Sequence, residues 1–403
     1  MTKEPTRPTH VEVVIIGGGY GALLAAAVIS HSGHDVLILG GDDETRGAAA
    51  EAAQLLRIGG QDIDDLLYGA TRALRAAGAP SSLLAGPPRE GTSTDGTTTS
   101  EVITCSRALL TSVVRTEVLA RPGYGRETVW WKDARAISLI GDRGEVRGVV
   151  VRLEDGTIHS VTANLVVDAD GAHAPSWLAQ LGVQEAPQSV SGTAGSCATR
   201  VYGVPATAAV TTADIPLAVA TAGNVTTVVA PIEGGRWTLS QITHGSAPLP
   251  TGLTFEDAAS TFANPLVHRV ISEADPLTDV AVSHIRRPRW CHFERVRHWP
   301  RRFVVLGDAV AAFGQATGQT LTSAEWAVRV LRNELAQGGV SHPTLSRRVQ
   351  KKIAEQIAGT WPGSGLPGPG SSPITTVGSR FHFTRSRTYA RAVSAGLVRR
   401  GSR

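Results

Sequence analysis

Three short runs in the 403-residue sequence carry groups that could do chemistry at defined spacing. The first is Val13-Val14-Ile15-Ile16-Gly17-Gly18-Gly19-Tyr20-Gly21-Ala22, which fits G-x-G-x-x-A between a strand and a helix. Gly17 permits a tight turn, Gly19 lets the backbone approach a pyrophosphate, and Ala22 is small enough for the helix to lie on the strand. The N–H groups that open the helix then face the phosphates. The acid that should take a ribose hydroxyl, about 20 residues on, falls at Gly40; Asp42 substitutes only if the following loop bends back. The other two runs are apolar, strand-like and end in turns that hold aspartates: Leu165 to Val167 before Asp168-Ala169-Asp170-Gly171, and Phe303 to Leu306 before Gly307-Asp308.

Other chemistries find less support. The 12 histidines form no H-x-x-x-H pair, so no metal is expected. There is no G-x-S-x-G elbow and no G-x-x-x-x-G-K-[ST] loop. Cys105, Cys197 and Cys291 lack C-x-x-C spacing, which gives neither a disulfide framework nor a zinc site.

The elements that must position these runs follow from periodicity. Val11 to Ile16, Ala22 to Ile29 and Asp35 to Leu39 form a β-turn-α-β unit closed by Gly33. Residues 46–78 read as helical, and residues 80–100, rich in Pro, Gly, Ser and Thr, as a loop. Ser106 to Leu119 reads as a helix. Strand-like segments follow at 127–131, 136–141 and 146–153, with Asp155-Gly156 as a hairpin signal. Residues 190–245 favour β structure, 255–272 and Thr322 to Leu335 favour helix, and 362–373 has linker composition. The expected fold is α/β: a Rossmann-like nucleotide-binding domain, a three-layer and mostly parallel sheet formed by 1–184 and 293–340. A β-rich domain with mixed sheet and helices, 185–292, interrupts it. A basic C-terminal helix and flexible tail, 341–403, completes the chain.

Composition bounds the partners. The hydrophobic fraction is 42% and charged residues are 18%, which is ordinary globular composition. No apolar stretch approaches the roughly 18–20 residues that span a bilayer, and Glu4, Glu12 and the glycine run argue against a secretory signal. No integral membrane role and a reducing, cytoplasmic setting are expected. From Arg347 onward there are 11 basic residues and one acid, which leaves the body mildly acidic under a net charge of +4. The tail is a solvated segment or a contact for a partner or charged surface. Without aromatic interleaving or a known module, nucleic acid is not an expected partner. The run Arg286 to Arg302, with seven arginines, either meets a cofactor phosphate or pairs with the acidic body.

Together, the motifs resemble the FAD-dependent aromatic-hydroxylase-type (class A) monooxygenases. Arg302-Phe303-Val304-Val305-Leu306-Gly307-Asp308-Ala309 is similar to the family's G-D motif, whose aspartate binds the flavin ribityl chain. Gly318-Gln319-Thr320-Leu321 is similar to its G-Q-G turn, which faces the flavin pyrimidine edge, and the 165–171 run to its D-G motif. Cys105-Ser106-Arg107-Ala108-Leu109-Leu110 resembles an S-R-x-L-L helix start whose arginine lies near the flavin. Pro231 to Trp237 and Phe293 to Pro300 are also similar to the subgroup of bacterial polyketide and polyether epoxidases and hydroxylases. The departures are Gly40, Ala172-His173-Ala174-Pro175 without arginine, Gly314-Gln315 for Asn-Pro, Thr320 for the second glycine, and an Ala-rich 47–56 segment.

The resemblance implies FAD held by Gly17, Gly19, Tyr20, Ala22, Arg107, Asp308, Gly318, Gln319 and Thr320, with NAD(P)H as reductant and one atom of O₂ passed to a hydrophobic small-molecule substrate. Trp237 and Tyr202 are candidate pocket aromatics, or plain core. No W-x-W-x-I-P segment of a flavin halogenase is present. The departures point to an alternative, a redox-neutral cyclase, isomerase or pericyclase with weak, structural or no FAD. A third reading is a binding scaffold.

Overall fold

A computed structural model describes residues 8–41, 53–57, 63–85, 99–120, 126–171, 173–203, 217–222, 225–244, 274–313, 319–359 and 361. In chain order the first unit is β1 (His10–Ile16), α1 (Tyr20–His31) and β2 (Val36–Leu39). Next come β3 (Ala53–Arg57), α2 (Ala70–Ala76), β4 (Ser81–Ala85), β5 (Thr99–Ser106) and α3 (Arg107–Ala120). Then β6 (Thr128–Trp131), β7 (Ala134–Asp142), β8 (Glu145–Leu153), β9 (Ile158–Asp168) and α4 (Ala174–Gln180) follow. The middle holds β10 (Gln188–Val190), β11 (Gly195–Gly203), β12 (Ala218–Ala222), β13 (Val225–Ile232), β14 (Arg236–His244), β15 (Asp275–Pro276), β16 (Ala281–Ile285) and β17 (Arg289–Cys291). The chain closes with β18 (Phe303–Val305), β19 (Ala311–Ala312), α5 (Gln319–Leu335) and α6 (Leu345–Ala358).

The main sheet has seven strands in the order β6-β2-β1-β9-β8-β7, with β18 also paired to β9. β6, β2, β1, β9 and β18 run parallel, while β7 and β8 add an antiparallel meander. The central parallel segments, Val13–Ile16, Val36–Leu39, Leu165–Val167 and Phe303–Val305, are apolar and buried because both of their faces are covered. α1 is buried along almost its whole length, from Ala22 to Ser30, as a helix apolar all round must be. It packs between α3 and α5. The α/β expectation with a mainly parallel sheet therefore holds. No helix among the described residues is long and apolar enough to cross a membrane.

The middle of the chain forms an antiparallel sheet in the order β12-β13-β14-β11-β15, with β16 also on β11. A three-stranded sheet β10-β17-β19 joins its ends to the turn after β18.

Three sequence expectations need correction. The helix expected over 46–78 is broken: Ala53–Arg57 is a strand, and helix appears only at Ala70–Ala76. Its Ala and Leu content favours helix, but β3 finds a partner in β5 and tertiary pairing overrides propensity. The loop expected over 80–100 is likewise strand at Ser81–Ala85 and from Thr99 onward. Its Ser and Thr residues satisfy the ladder as readily as a turn. The short strand expected at Leu165 to Val167 is the end of the eleven-residue β9, which begins just after the Asp155-Gly156 turn.

The helix expected at Thr322 starts three residues earlier, at Gln319. The helix expected at 255–272, the linker at 362–373 and the rest of the basic tail lie outside the described residues. The helical part before that tail, α6, is packed in the main core through Leu345, Val349 and Ile353. Ser346 Oγ accepts the Phe303 N–H at 3.1 Å, and Gln350 Nε2 donates to the Val305 carbonyl at 2.9 Å. The fully buried Glu334 of α5 accepts from Arg348 and Lys352 of α6. Burial alone would raise its carboxyl, but the two cations hold it below the usual range.

Candidate functional site

Three turns at the carboxyl ends of β1, β9 and β18 meet at one edge of the main sheet, where open α/β sheets bind ligands. β1 ends in Gly17, whose φ of +109° suits glycine. Its N–H donates to the Leu39 carbonyl at 2.7 Å. A Cβ on Gly17 would stand 3.1 Å from the Asp170 nitrogen, so the β1 and β9 turns touch here. Gly171 repeats the pattern: with φ +85°, its Cβ would stand 3.3 Å from the Ala309 nitrogen, in the turn after β18. A Cβ at Gly21 would meet the Ala324 methyl at 3.4 Å, which lets α1 lie directly against α5.

Gly19 is the N-cap of α1 and supplies no side-chain acceptor, and the first turn holds no acid. The helix therefore points uncapped N–H groups and the positive end of its dipole at this junction. Ala22 is 1% exposed and lies against the sheet. Gly17, Gly19 and Ala22 come together at this junction, where the free N–H groups of the helix start suit an anionic group such as a pyrophosphate.

The ribose end is different. Gly40 follows β2 with φ +119°, and its carbonyl accepts the Trp130 indole N–H at 2.8 Å. A Cβ on Gly18 would fall 2.8 Å from the Gly41 oxygen, 2.9 Å from the Gly40 oxygen and 3.0 Å from Trp130 Cζ2. Peptide carbonyls and an indole ring thus crowd Gly18 at the end of β2. Asp42, the possible substitute, lies outside the described residues.

Tyr20 does something the motif did not foretell. Its side chain is buried, and its hydroxyl donates to Glu325 Oε1 of α5 at 2.7 Å. Glu325 faces Arg329 at 3.7 Å, and Arg329 Nε donates to Asp65 at 3.0 Å. Burial first, then the Glu325 charge, pushes the phenol well above its ordinary range, so Tyr20 serves as a donor and not as a base. The hydrogen bonds of Arg332 and Arg329 hold the Asp65 carboxyl low. Tyr20→Phe should cost about 1–3 kcal/mol, the worth of a buried hydrogen bond to a charged acceptor. Urea unfolding measures this, and an unchanged midpoint would show that Glu325 finds another donor.

Asp168, the first aspartate of the 165–171 run, is the second residue whose environment the motifs did not foretell. It closes β9, paired with Ile16 on one side and Val305 on the other. It is 0% exposed; Oδ1 accepts the Asp170 N–H at 3.1 Å, and Oδ2 has no partner among the described residues. Burial raises its carboxyl from 3.8 to about 7, against the pull of backbone N–H groups from Asp170 and Gly171.

The third is Glu233, in the turn between β13 and β14. Its carboxylate accepts from Ser106 N at 2.9 Å and Ser106 Oγ at 2.6 Å, and Arg236 donates to it at 3.0 Å. Ser106 Oγ in turn accepts the Leu109 N–H at 3.1 Å, as an N-cap does. The clamp fixes the start of α3, and with it Arg107, the first residue of that helix. Buried Cys105 beside it has its thiol raised by desolvation and then by the Glu233 charge, so it is no nucleophile.

Asp308 is exposed in the turn after β18. Gln319 and Thr320 open α5, and Gly318 lies outside the described residues. Tyr202 and Trp237 face each other across β11 and β14, stacked at 4.5 Å, 1% and 0% exposed. Neither ring reaches solvent. In the arginine run, Arg295 pairs with Glu294, and Arg301 and Arg302 pair with Glu145 at 3.2–3.4 Å.

No described protein family matches the chain. Protein Rv3254 of Mycobacterium tuberculosis is 26% identical over 212 residues, 50% of this chain and 43% of that protein; the match thus spans less than half of the curated relative. Solved structures match far more of the chain. The flavin-dependent brominase Bmp2 is 15% identical with a TM-score of 0.63, covering 87% of this chain and 84% of that one. PqsL of Pseudomonas aeruginosa in complex with 2-aminobenzoylacetate is 18% identical with a TM-score of 0.59, covering 86% and 91%. The Diels-Alderase PyrE3 of the pyrroindomycin pathway is 17% identical with a TM-score of 0.59, covering 97% and 77%. The chain has the fold shared by FAD-dependent halogenases and class A monooxygenases.

Proposed function

We propose that this chain is an FAD-dependent monooxygenase, an epoxidase or hydroxylase that tailors a hydrophobic polyketide or terpenoid intermediate. The observation that carries this reading is the meeting of the Gly17, Gly171 and Gly307–Ala309 turns at the uncapped start of α1. Bound there, FAD supplies the oxygen-transfer chemistry, with NAD(P)H as the reductant. The chain's own part is to bind and orient. The N–H groups at the start of α1 take the pyrophosphate, and Asp308 takes the ribityl hydroxyls. Arg107, held by the Glu233 clamp, and the start of α5 at Gln319 and Thr320 border the ring. The six-stranded sheet, with Tyr202 and Trp237 beneath its surface, backs the substrate and keeps water out.

One observation favours a second reading, a redox-neutral cyclase or isomerase with weak or structural flavin. It is the closure of the β2 end by Trp130 and the Gly40 and Gly41 carbonyls. That a Diels-Alderase shares the fold is compatible with it.

The test is the absorbance spectrum of the purified protein after incubation with excess FAD and removal of the unbound fraction. Retained flavin is expected, and Asp308→Ala should weaken its binding about 10–100-fold, the worth of a charge-assisted hydrogen bond. A protein that stays colourless removes the oxygenase reading. Substrate conversion that persists without O₂ or reductant would select the cyclase.

A further inference from the structure

A second constellation lies in the small sheet β10-β17-β19, whose last strand follows the Gly307–Ala309 turn. Ser189, the middle residue of β10, places its Oγ 2.7 Å from His292 Nε2. His292 Nδ1 stands 2.8 Å from Glu294 Oε1. With Nδ1–H donated to the carboxylate, the Nε2 lone pair is left for the Ser189 hydroxyl, which is the tautomer a general base needs. His292 is 2% exposed and held on both sides. Ser189 is half-buried between exposed Gln188 and Val190.

Next to this relay is a donor with nothing to donate to. Trp290 is the ladder partner of Ser189, and its ring centroid lies 4.1 Å from that of His292. Its Nε1–H is buried without an acceptor among the described residues. Trp361 and Phe313 continue the aromatic surface, at 5.6 Å from Trp290 and 5.8 Å from each other.

We propose that Ser189, His292 and Glu294 form an acyl-transfer site for the ester or thioester of an apolar small molecule. Ser189 is the nucleophile, His292 the base, Glu294 the positioning residue, and Trp290 Nε1–H the donor to the carbonyl oxygen. Ser189 Oγ bonds to the carbonyl carbon as its proton passes to His292 Nε2, and the π pair moves to the oxygen. Its return breaks the bond to the leaving alkoxide or thiolate, which takes the proton from His292. Water then repeats both steps, frees the acid and restores the serine. Such relays are defined by geometry and recur on unrelated folds, and this one needs no flavin.

The experiment treats the full-length protein, as purified, with a fluorophosphonate probe and with p-nitrophenyl butyrate. Mass spectrometry should find the probe on the peptide containing Ser189, and Ser189→Ala should abolish both labelling and turnover. Glu294→Gln keeps the shape and loses the charge. It should lower kcat at least about tenfold with KM and the unfolding midpoint unchanged, a split that a purely structural hydrogen bond would not give. Wild-type protein that stays unlabelled, or equal labelling in Ser189→Ala, overturns the proposal. So does a Ser189→Ala variant whose only change is a lower melting temperature. None of these results bears on flavin retention, so the two readings fail separately.

Discussion

Asp168→Asn should be nearly neutral at pH 4 and stabilising by on the order of 4 kcal/mol at pH 8. The folded carboxyl titrates at about 7 and the unfolded one at 3.8. Between those values the folded state binds more protons, so wild-type stability falls as pH rises from about 4 to about 7 and is level beyond. Three units at about 1.36 kcal/mol each give the size. Asn keeps an acceptor for the Asp170 N–H and cannot ionise beside it. Denaturant unfolding of both proteins at several pH values checks this, because other titrating groups cancel in the difference. A difference that stays constant from pH 4 to pH 8 would mean that Asp168 is ionised and solvated in the folded state. The variant also asks a functional question. Asp168 sits where the three motif turns meet, and a neutral Oδ2–H there is a donor that an ionised aspartate would lack.

Glu233→Ala should destabilise the protein by about 3 kcal/mol. The carboxylate supplies two charge-assisted hydrogen bonds to Ser106, worth roughly 1.5–3 kcal/mol each and not fully additive. It also places a negative charge at the start of α3, where the helix dipole favours it. Its loss leaves the Ser106 N–H without the carboxylate it donates to and removes one of the bonds Arg236 makes. Unfolding measures the cost, and hydrogen exchange should quicken first in the opening turn of α3. A loss below about 1 kcal/mol would show that Ser106 caps the helix unaided through its bond to Leu109.

The fold was legible where the sequence is locally consistent. The β1-α1-β2 unit could be read because both strands and the helix are apolar throughout and glycines punctuate their ends. The 46–100 region misled because its Ala, Ser and Thr suit more than one conformation; pairing among β3, β4 and β5 decides it.

The sequence alone determined the strand-turn-helix at Gly17, Gly19 and Ala22, since these residues act through backbone conformation and close approach, which adjacent residues encode. It also marked the missing ribose acid at Gly40. Tertiary structure alone decided what fills that place and what braces the site. Trp130 reaches Gly40 across 90 residues, Ser106 meets Glu233 across 127, and Tyr20 meets Glu325 across 305. Ser189 and His292, 103 residues apart, become neighbours only through the register of β10 on β17. A side-chain pair of this kind leaves no spacing to read, because the distance between its members is set by strand pairing and helix packing far from either residue.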